Sequence, residues 1–306
     1  MGHPHDGILL IDKNENETSF DVVRKVKKVL RINKIGHAGT LDPFATGLLI
    51  ILLGQGTKLS PYLLEGKKVY EARMRLGIET DTQDLTGRVM RTVPVPEFDC
   101  EYIKKQAQGF IGEMEQTPPA FSAVKYRGRR SYWFARKGIR VELPKRKVTF
   151  YSIKVTTMEP PDITIEVICS SGTYIRRLAS DFGEKLGPGA HLRALRRLAI
   201  GSFKLKGAID SGHIGLIPLG DLCQMIIPLR HSLPDMSEVE IDAKLAQKIR
   251  NGYQPGWEDG ILPPPFEGHH DKKFKLRSMS ELVAIVNLQK TPLKPEGDIR
   301  LMRVFH

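Results

Sequence analysis

The chain has 306 residues, of which 41% are hydrophobic and 27% charged, and a formal net charge of +12. Such a length supports a sizeable core and predicts two domains. No apolar run approaches the ~20 residues that cross a bilayer, and the start, MGHPHDGILLIDK, lacks the pattern of a secretory signal. We therefore expect a cytoplasmic protein.

The three cysteines are far apart and form no CxxC pair, which predicts three buried or half-buried thiols rather than a disulfide framework or a zinc site.

The positive charge is concentrated in one part of the chain. Residues 233–306 hold 11 basic and 11 acidic side chains, so the whole excess lies in residues 1–232. The segment 125–147 is the richest, with ten basic residues, one acid and interleaved aromatic residues. These are Lys125, Arg127, Arg129, Arg130, Arg136, Lys137, Arg140, Lys145, Arg146 and Lys147, with Tyr126, Tyr132 and Trp133. Basic and planar side chains together suit a phosphate backbone and unstacked bases, whereas solubility alone is usually met by mixed charges. The segment therefore predicts nucleic-acid binding.

The first half of the chain predicts strands separated by helices and turns. In chain order we expect a strand at 7–13, a helix capped by Thr18 or Ser19, a strand or buried helix at 47–54, an alternating strand at 68–77, turns at 78–87 and a helix at 99–114 capped by Asp99. In the first helix, Phe20, Val23, Val26 and Leu30 share one face at helical spacing.

The second half continues this mixture and then changes character. We expect consecutive strands at 148–158 and 163–171, a helix at 173–187 ending at Gly187, and, after Ser237, an amphipathic helix at 237–252, a loop at 256–268 and strands at 281–289 and 300–305. The pattern predicts an α/β (α+β) domain rich in strands, followed by a small β-rich domain of about 70 residues.

Four long motifs stand in one order along the chain: GHAGTLDPFATGLL, KVYEARMRLGIETDTQDLTG, QTPPAFSAVKYRGRRSYWFARKG and CSSGTYIRRLASDFGEKLGPGAHLRALRRLAIGSF. The first seats a single carboxylate, Asp42, among glycines that permit unusual backbone and close approach: Gly36, Gly39 and Gly47. In this order the motifs resemble the TruB-type tRNA pseudouridine synthases, over roughly residues 7–232, with a tail similar to the PUA RNA-binding domain.

The resemblance implies a pseudouridine synthase fold with a central mixed, mainly antiparallel sheet. It implies a catalytic domain at 6–232, with a basic RNA-binding insertion at about 120–150, and a PUA-like domain at 237–306. The implied reaction is isomerisation of the T-loop uridine (position 55) of tRNA to pseudouridine, on a flipped-out base and without cofactor or metal. The implied partner is the tRNA T-arm, with no membrane and no small-molecule cofactor, and we expect a monomer.

The same resemblance assigns the catalytic residues. Asp42, in LDP, matches the catalytic aspartate, although an Asp-Pro turn is a common structural use of the pair. Arg176, in GTYIR, matches the arginine that pairs with this aspartate, and an adjacent guanidinium favours the charged carboxylate. Tyr70, in KVY, matches the tyrosine that stacks on the target uracil.

Further residues match RNA- or substrate-binding positions. His37 matches a residue that stacks in the T-loop, Tyr174 a second ring of the site, and Leu195 an apolar residue packing on the base, for which a place in a helix core is the alternative. Lys13 and Lys125 are expected in RNA contact or structural support. The remaining predicted RNA contacts are Arg129, Arg130 and Arg197.

Two features depart from a simple reading. Where the family carries Pro and Gly after the first lysine, this chain has KNENETS, and Asn14 and Asn16 are expected to keep the turn, since Asn tolerates turn conformations. Asp81 and Asp84 are spaced like a pair of magnesium ligands, but we interpret them as turn residues that bond to backbone groups.

Alternatives to a stand-alone tRNA enzyme remain at this point. The first is a relative that works in an RNA-guided complex, and the second is a non-catalytic tRNA-binding or tRNA-folding protein. A hydrolase using Asp42 would need a water-activating partner or a metal, and the sequence shows neither beside it. The chain's own basic segment favours a stand-alone enzyme.

Overall fold

The computed structural model describes residues 5–122, 124–261, 272–291 and 294–306. The helices are α1 (Ser19–Leu30), α2 (Ser60–Glu65), α3 (Cys100–Gln108), α4 (Ser131–Arg136), α5 (Ile175–Leu186), α6 (Leu219–Gln224) and α7 (Ala243–Arg250). Short 3-10 turns lie at Gly54–Leu59, Leu229–His231 and Trp257–Asp259.

The strands of the first 232 residues are β1 (Gly7–Lys13), β2 (Ile35–Ala38), β3 (Thr46–Leu53), β4 (Lys68–Leu76), β5 (Ile78–Thr80), β6 (Val89–Thr92), β7 (Gly112–Gln116), β8 (Lys125–Tyr126), β9 (Arg129–Arg130), β10 (Arg146–Glu159), β11 (Asp162–Cys169), β12 (Ala190–Ile200), β13 (Phe203–Lys204), β14 (Ile209–Asp210) and β15 (Ile227–Pro228). Those of the tail are β16 (Glu238–Glu240), β17 (Lys272–Ser278), β18 (Glu281–Thr291) and β19 (Lys294–Val304).

One large sheet organises the first part of the chain. Within the described residues its order is β14-β1-β3-β12-β4-β11-β10-β7. Three further strands pair with members of this row: β2 with β3, β15 with β1, and β13 with β12. Only the pairs β1/β14 and β3/β12 are parallel. This confirms the predicted α/β class with a mixed, mainly antiparallel sheet. Helices α3 and α5 pack on it over the core that contains β4 and β11.

The close approach of β3 and β12 explains one glycine of the Asp42 loop. Gly47 has φ +100°, and a Cβ there would lie 2.3 Å from the carbonyl oxygen of Arg197. Only glycine fits such a position without displacing β12. Gly39 is also left-handed, at φ +93°, whereas Gly36 lies inside β2 in ordinary extended backbone.

The predicted helix α1 is present, but the predicted burial of one residue, Phe20, is wrong. Thr18 is the cap: its hydroxyl accepts from the Asp21 N–H at 3.1 Å, and the Asp21 carboxylate accepts from the Thr18 N–H at 2.9 Å. Phe20 is 63% exposed, and Val22 is buried instead. The buried face of α1 is set by the strands that it packs against, where Val22, Val23, Val26 and Leu30 join one core cluster.

Two other predicted elements differ from the structure. The helix expected at 99–114 ends at Gln108, because Gly109 follows and residues Gly112–Gln116 pair with β10 as an edge strand. RALRRLA lies in strand β12 rather than in a helix, since its backbone pairs with β4 along most of its length. The expected thiol burial fails for Cys100, which is exposed.

The tail forms a separate four-stranded sheet, β16-β17-β18-β19, with α7 packed on β17 and β18. A C-terminal β-rich domain is therefore present, as predicted; the boundaries 6–232 and 237–306 stay a prediction. The predicted loop at 256–268 is described only to residue 261. Within the described ranges, no helix is both long and apolar enough to cross a membrane.

The tail sheet shares a core with the large sheet. Leu282, Ile285 and Phe305 pack in one cluster with Ile8 and Leu48. At the chain end, the His306 N–H donates to the Gln55 side chain at 2.9 Å, and the Gln55 amide donates back to the His306 carbonyl. The two sheets are therefore held by apolar packing as well as by polar contacts.

This shared core predicts that Phe305→Ala destabilises the whole protein. Phe305 is 1% exposed, and truncating a buried phenylalanine costs about 3 kcal/mol or more. Thermal unfolding followed by circular dichroism measures the effect, with Met302→Ala, at a side chain 38% exposed, as the matched control. Equal melting curves for the two variants would contradict the packing role.

Candidate active site

The loop that carries Asp42 is held in place by buried polar contacts. Lys13, at the end of β1, is 0% exposed, and its Nζ donates to the carbonyl of Pro43 at 3.1 Å. On the other side of Asp42, the Leu41 N–H donates to the hydroxyl of Ser19, the first residue of α1, at 2.9 Å. The backbone on both sides of the carboxylate is therefore fixed by neighbouring elements.

The turn after Lys13 keeps its geometry without Pro and Gly. Asn16 adopts a left-handed φ of +64°, and its N–H donates to the Pro43 carbonyl at 2.9 Å. Asn14 donates from its side-chain amide to Asp210 at 2.9 Å. Two asparagines therefore supply the turn, as expected from their tolerance of this conformation.

Asp42 is paired with Arg176 in a two-point contact. The distance from Arg176 Nε to Asp42 Oδ2 is 3.0 Å and that from Nη2 to Oδ1 is 3.3 Å. Arg176 lies in the first turn of α5 and its side chain is 5% exposed, whereas that of Asp42 is 37% exposed. The arginine is buried behind a carboxylate that still reaches open space.

A second carboxylate, Asp84, holds the far side of the same guanidinium. Arg176 Nη1 lies 3.2 Å from Asp84 Oδ2, and Nη2 donates to the Phe121 carbonyl at 2.9 Å. The other oxygen of Asp84 accepts from the Thr86 N–H at 3.0 Å and the Thr82 hydroxyl at 2.7 Å. Sequence reasoning found the turn bonds of Asp84 but missed the ion pair. The signal in the sequence was that Thr82 and Thr86 flank Asp84, which indicates a turn and says nothing of Arg176.

These neighbours act on the pKa of Asp42 in opposite directions. Burial raises the pKa of this carboxyl and the negative Asp84 raises it further, while Arg176 and Lys13 lower it. Burial prevails, so the pKa of Asp42 lies above the usual range of an aspartate. Arg176 opposes this rise by favouring the ionised carboxylate.

A cavity of about 420 Å³ opens beside the carboxylate. The structure brings together six of the residues predicted from sequence in its lining: Asp42, Tyr70, Tyr174, Arg176, Leu195 and Arg197. Tyr70 is 8% exposed, and burial raises the pKa of its hydroxyl, which keeps it neutral. The cavity offers an apolar and aromatic floor next to the Asp42 carboxylate.

The structure changes the expected role of two basic residues. Arg197 is 1% exposed, and its guanidinium donates to the carbonyls of Leu48 at 2.7 Å and Gly39 at 3.0 Å. Lys13 is fully buried against backbone carbonyls, and burial lowers its pKa to about 8. Lys13 therefore fits the structural support that was its alternative role, whereas Arg197 also lines the cavity and its RNA contact stays a prediction. Both residues support the Asp42 loop from beneath.

His37 lies on β2, outside the lining of the cavity. Its Nδ1 is buried and has no hydrogen-bond partner among the described residues. Burial and the nearby Arg197 lower its pKa, so the ring is neutral at physiological pH. Its predicted contact with RNA stays a prediction.

The predicted basic segment forms an exposed hairpin followed by a short helix. Strands β8 and β9 pair Lys125 with Arg130, and Lys125, Arg129 and Arg130 are all exposed. The guanidinium of Arg129 lies 4.2 Å from the ring centre of Trp133 in α4, and Lys137 Nζ lies 4.1 Å from it. The hairpin thus presents cations and a planar ring together.

Within the described residues, no group of three or more His, Cys, Asp or Glu side chains is arranged to hold a metal ion. Asp84, one of the two acids considered as magnesium ligands, is occupied by Arg176. Asp81 instead accepts from the Arg88 N–H at 2.8 Å.

Known proteins are similar to this chain in fold and in sequence. The crystal structure of a Cbf5-Nop10-Gar1 complex is similar over 99% of this chain and 86% of that chain, with a TM-score of 0.75 and 27% identity. An archaeal box H/ACA sRNP Nop10-Cbf5 complex gives a TM-score of 0.72 over 99% and 87% at 23% identity, a likeness of fold alone. The family model "TruB family pseudouridylate synthase (N terminal domain)" matches residues 27–175. The class is therefore that of the pseudouridine synthases, which are isomerases.

Relatives over the full length narrow the class to one family. The "tRNA pseudouridine synthase B" of Syntrophus aciditrophicus (strain SB) is 40% identical, covering 98% of this chain and 99% of that protein. That of Clostridium kluyveri is 44% identical over 81% and 84%. The chain belongs to the tRNA pseudouridine synthase B family.

The shared arginine predicts opposite effects of two substitutions on Asp42. Asp84→Asn removes a negative neighbour and should lower the pKa of Asp42, whereas Arg176→Met removes the positive one and should raise it by about 1–3 pH units. Carbon NMR titration of labelled aspartate carboxyls measures both, with the Asp42 signal assigned from Asp42→Asn.

Asp81→Asn is the matched control, because Asp81 lies in the same turn but bonds to Arg88. It should leave the Asp42 titration where it was. Shifts of the same sign in Asp84→Asn and Arg176→Met would contradict the proposed balance of charges.

Proposed function

We propose that this protein isomerises the T-loop uridine (position 55) of tRNA to pseudouridine, with Asp42 as the catalytic carboxylate. The observation that carries the proposal is the two-point contact between Asp42 and the buried Arg176 at the edge of a cavity lined by Tyr70. Relatives over the full chain length carry the name tRNA pseudouridine synthase B, which supports tRNA as the substrate.

The reaction needs one carboxylate at the sugar. The C1′–N1 bond breaks with its electron pair going to uracil, the base turns, and a C1′–C5 bond forms. C5 then loses its proton to solvent and N1 takes one up, so there is no net hydrolysis or redox change. Asp42 would assist either by attacking C1′ or by removing the C2′ proton, and both routes require its ionised form.

The residues around Asp42 fit these steps. Arg176 favours the ionised carboxylate and fixes its direction. Tyr70, neutral and on the cavity floor, is placed to stack on the uracil, with Leu195 and Tyr174 as further walls. A cavity of about 420 Å³ takes a single nucleoside, so the target base has to leave its stack, at a cost of a few kcal/mol.

The exposed hairpin supplies contacts to the tRNA T-arm. A-form RNA hides the edges of its bases in a deep, narrow groove, so recognition depends on backbone shape and on a few splayed loop bases. Arg129, Arg130 and Lys125 are exposed for phosphates, and His37 is proposed to stack in the loop. The tail domain is proposed to be PUA-like and to add contacts of its own.

The two alternatives are less well supported. A purely tRNA-binding protein would have no use for an aspartate with two-point arginine support inside a cavity. A subunit of a guided ribonucleoprotein is the state named for the Cbf5 structures, but identity to them is 23–27% against 40–44% to the tRNA enzymes. Monomeric state and cytoplasmic location stay predictions.

The central test is tritium release from a tRNA transcript labelled at uracil C5. The protein should release tritium from one uridine per tRNA, and Asp42→Asn should slow release by about 10²-fold to 10⁴-fold or more. Asp81→Asn, at a carboxylate that pairs with Arg88, serves as the matched carboxylate control. Full release by Asp42→Asn, or release from a transcript lacking the T-loop uridine, would disprove the assignment.

A second test concerns the hairpin. Arg129→Ala with Arg130→Ala should weaken tRNA binding and reduce the slope of log affinity against log salt by about 1.5, because each phosphate contact contributes about 0.7–0.9. Filter binding across salt concentrations measures it, with Lys104→Ala plus Lys105→Ala on α3 as a charge-matched control. An unchanged slope in the hairpin variant would remove these residues from the phosphate contacts.

A further inference from the structure

Lys68 is a buried lysine in the active-site cavity for which the steps above provide no role. It lies on β4, two residues before Tyr70, is 6% exposed, and lines the same cavity as Asp42. Because side chains alternate along a strand, Lys68 and Tyr70 project from the same face of the sheet. The ammonium and the proposed stacking ring are therefore neighbours in one row.

The ammonium of Lys68 has more N–H donors than its one backbone hydrogen bond uses. Its Nζ donates to the carbonyl of Leu64, and an ammonium has three N–H groups. Over the described parts of the chain, no carboxylate lies within the 4.0 Å of a salt bridge to Lys68. Glu65, also at the cavity, lies 3.4 Å from Lys273 instead. A buried lysine without a carboxylate is costly to keep, which indicates that its counterpart arrives with the substrate.

The charges around Lys68 are few. Burial lowers its pKa to about 8, the buried Arg197 on β12 lowers it as well, and Cys169 on β11 acts in the opposite direction. Burial raises the pKa of the Cys169 thiol to about 11, so the thiol is neutral. Lys68 is thus an ammonium at neutral pH and loses its proton a little above it.

We propose that Lys68 contacts the substrate by donating a hydrogen bond to a carbonyl oxygen of the flipped-out uracil. When the C1′–N1 bond breaks, the electron pair enters the ring and the negative charge spreads to the carbonyl oxygens. The Lys68 ammonium keeps its proton and stabilises that charge until C5 bonds to C1′. This role rests on the proposed function.

The base, rather than a phosphate, is the group that can reach Lys68. Phosphates of a flipped nucleotide stay joined to the RNA chain on both sides and remain at the mouth of the cavity. The base alone swings inward, and Lys68 lies in the interior beside the residue proposed to stack on it. The contact should therefore affect the chemical step more than tRNA binding.

The test is single-turnover tritium release at saturating tRNA by Lys68→Met, compared with Lys67→Met. Lys67 is the matched control, because it is exposed, outside the cavity, and lies over the ring of Tyr151 at 4.2 Å. Removing a donor that acts on developing charge typically costs about 10²-fold or more, so Lys68→Met should fall by that factor with tRNA affinity unchanged. Lys67→Met should match the unaltered protein.

The pH profile separates this role from a structural one. The single-turnover rate should decline as pH rises through about 8, and Lys68→Arg should remove that decline, because an arginine keeps its charge. If thermal melting shows that Lys68→Met does not fold, the pH profile of Lys68→Arg provides the test instead. A rate that still declines through about pH 8 in Lys68→Arg would overturn the proposal.

Three further outcomes are distinguishable. A Lys68→Met rate equal to that of Lys67→Met overturns the inference and leaves the proposed function intact. Weaker binding with a reduced salt dependence and a normal rate at saturation overturns it in favour of a phosphate contact. Absence of release by the unaltered protein overturns the proposed function, and this inference with it.

Discussion

The site depends on one buried guanidinium held between two carboxylates. Arg176 contacts Asp42 with two nitrogens and Asp84 with the third. A buried arginine is tolerated when its donors are paired, and here backbone carbonyls of Thr82 and Phe121 complete the set. Helix α5, the turn after β5 and the Asp42 loop are therefore joined at one side chain, so the direction of Asp42 is set by the packing of three separate elements.

The loop that bears Asp42 packs Leu41, Phe44 and Ala45 into the core, and two further buried cations fix its backbone. Lys13 and Arg197 donate to backbone carbonyls on either side of the loop, Pro43 and Gly39. Backbone carbonyls inside a protein need donors, and an irregular loop offers no ladder partners. Lys13 and Arg197 thus have a positioning role, and the proposed RNA contacts come from the exposed basic residues of the hairpin.

Local signals predicted most of the fold and part of the site. The strands β1 and β4 and the cap of α1 follow from alternation and hydrogen-bonding side chains, which are properties of short segments. Phe20 and the end of α3 were mispredicted because the burial of a side chain and the pairing of Gly112–Gln116 with β10 depend on elements far away in sequence. The motifs predicted the pair formed by Asp42 and Arg176. The contact of Asp84 with Arg176 and the burial of Arg197 depend on tertiary packing, which no periodic pattern in the sequence indicates.

Sharing Arg176 between two acids has a chemical consequence. An arginine given wholly to Asp42 would hold its pKa low, which makes a carboxylate a poor base and a poor nucleophile. Asp84 takes part of that positive charge and adds its own negative potential, while burial disfavours the charged form. Asp42 is therefore kept in a fixed direction by the arginine without being fully neutralised by it. A carboxylate whose pKa lies closer to neutral pH is better suited to take a proton or attack a carbon, and this is the property that the proposed reaction at C1′ or C2′ would use.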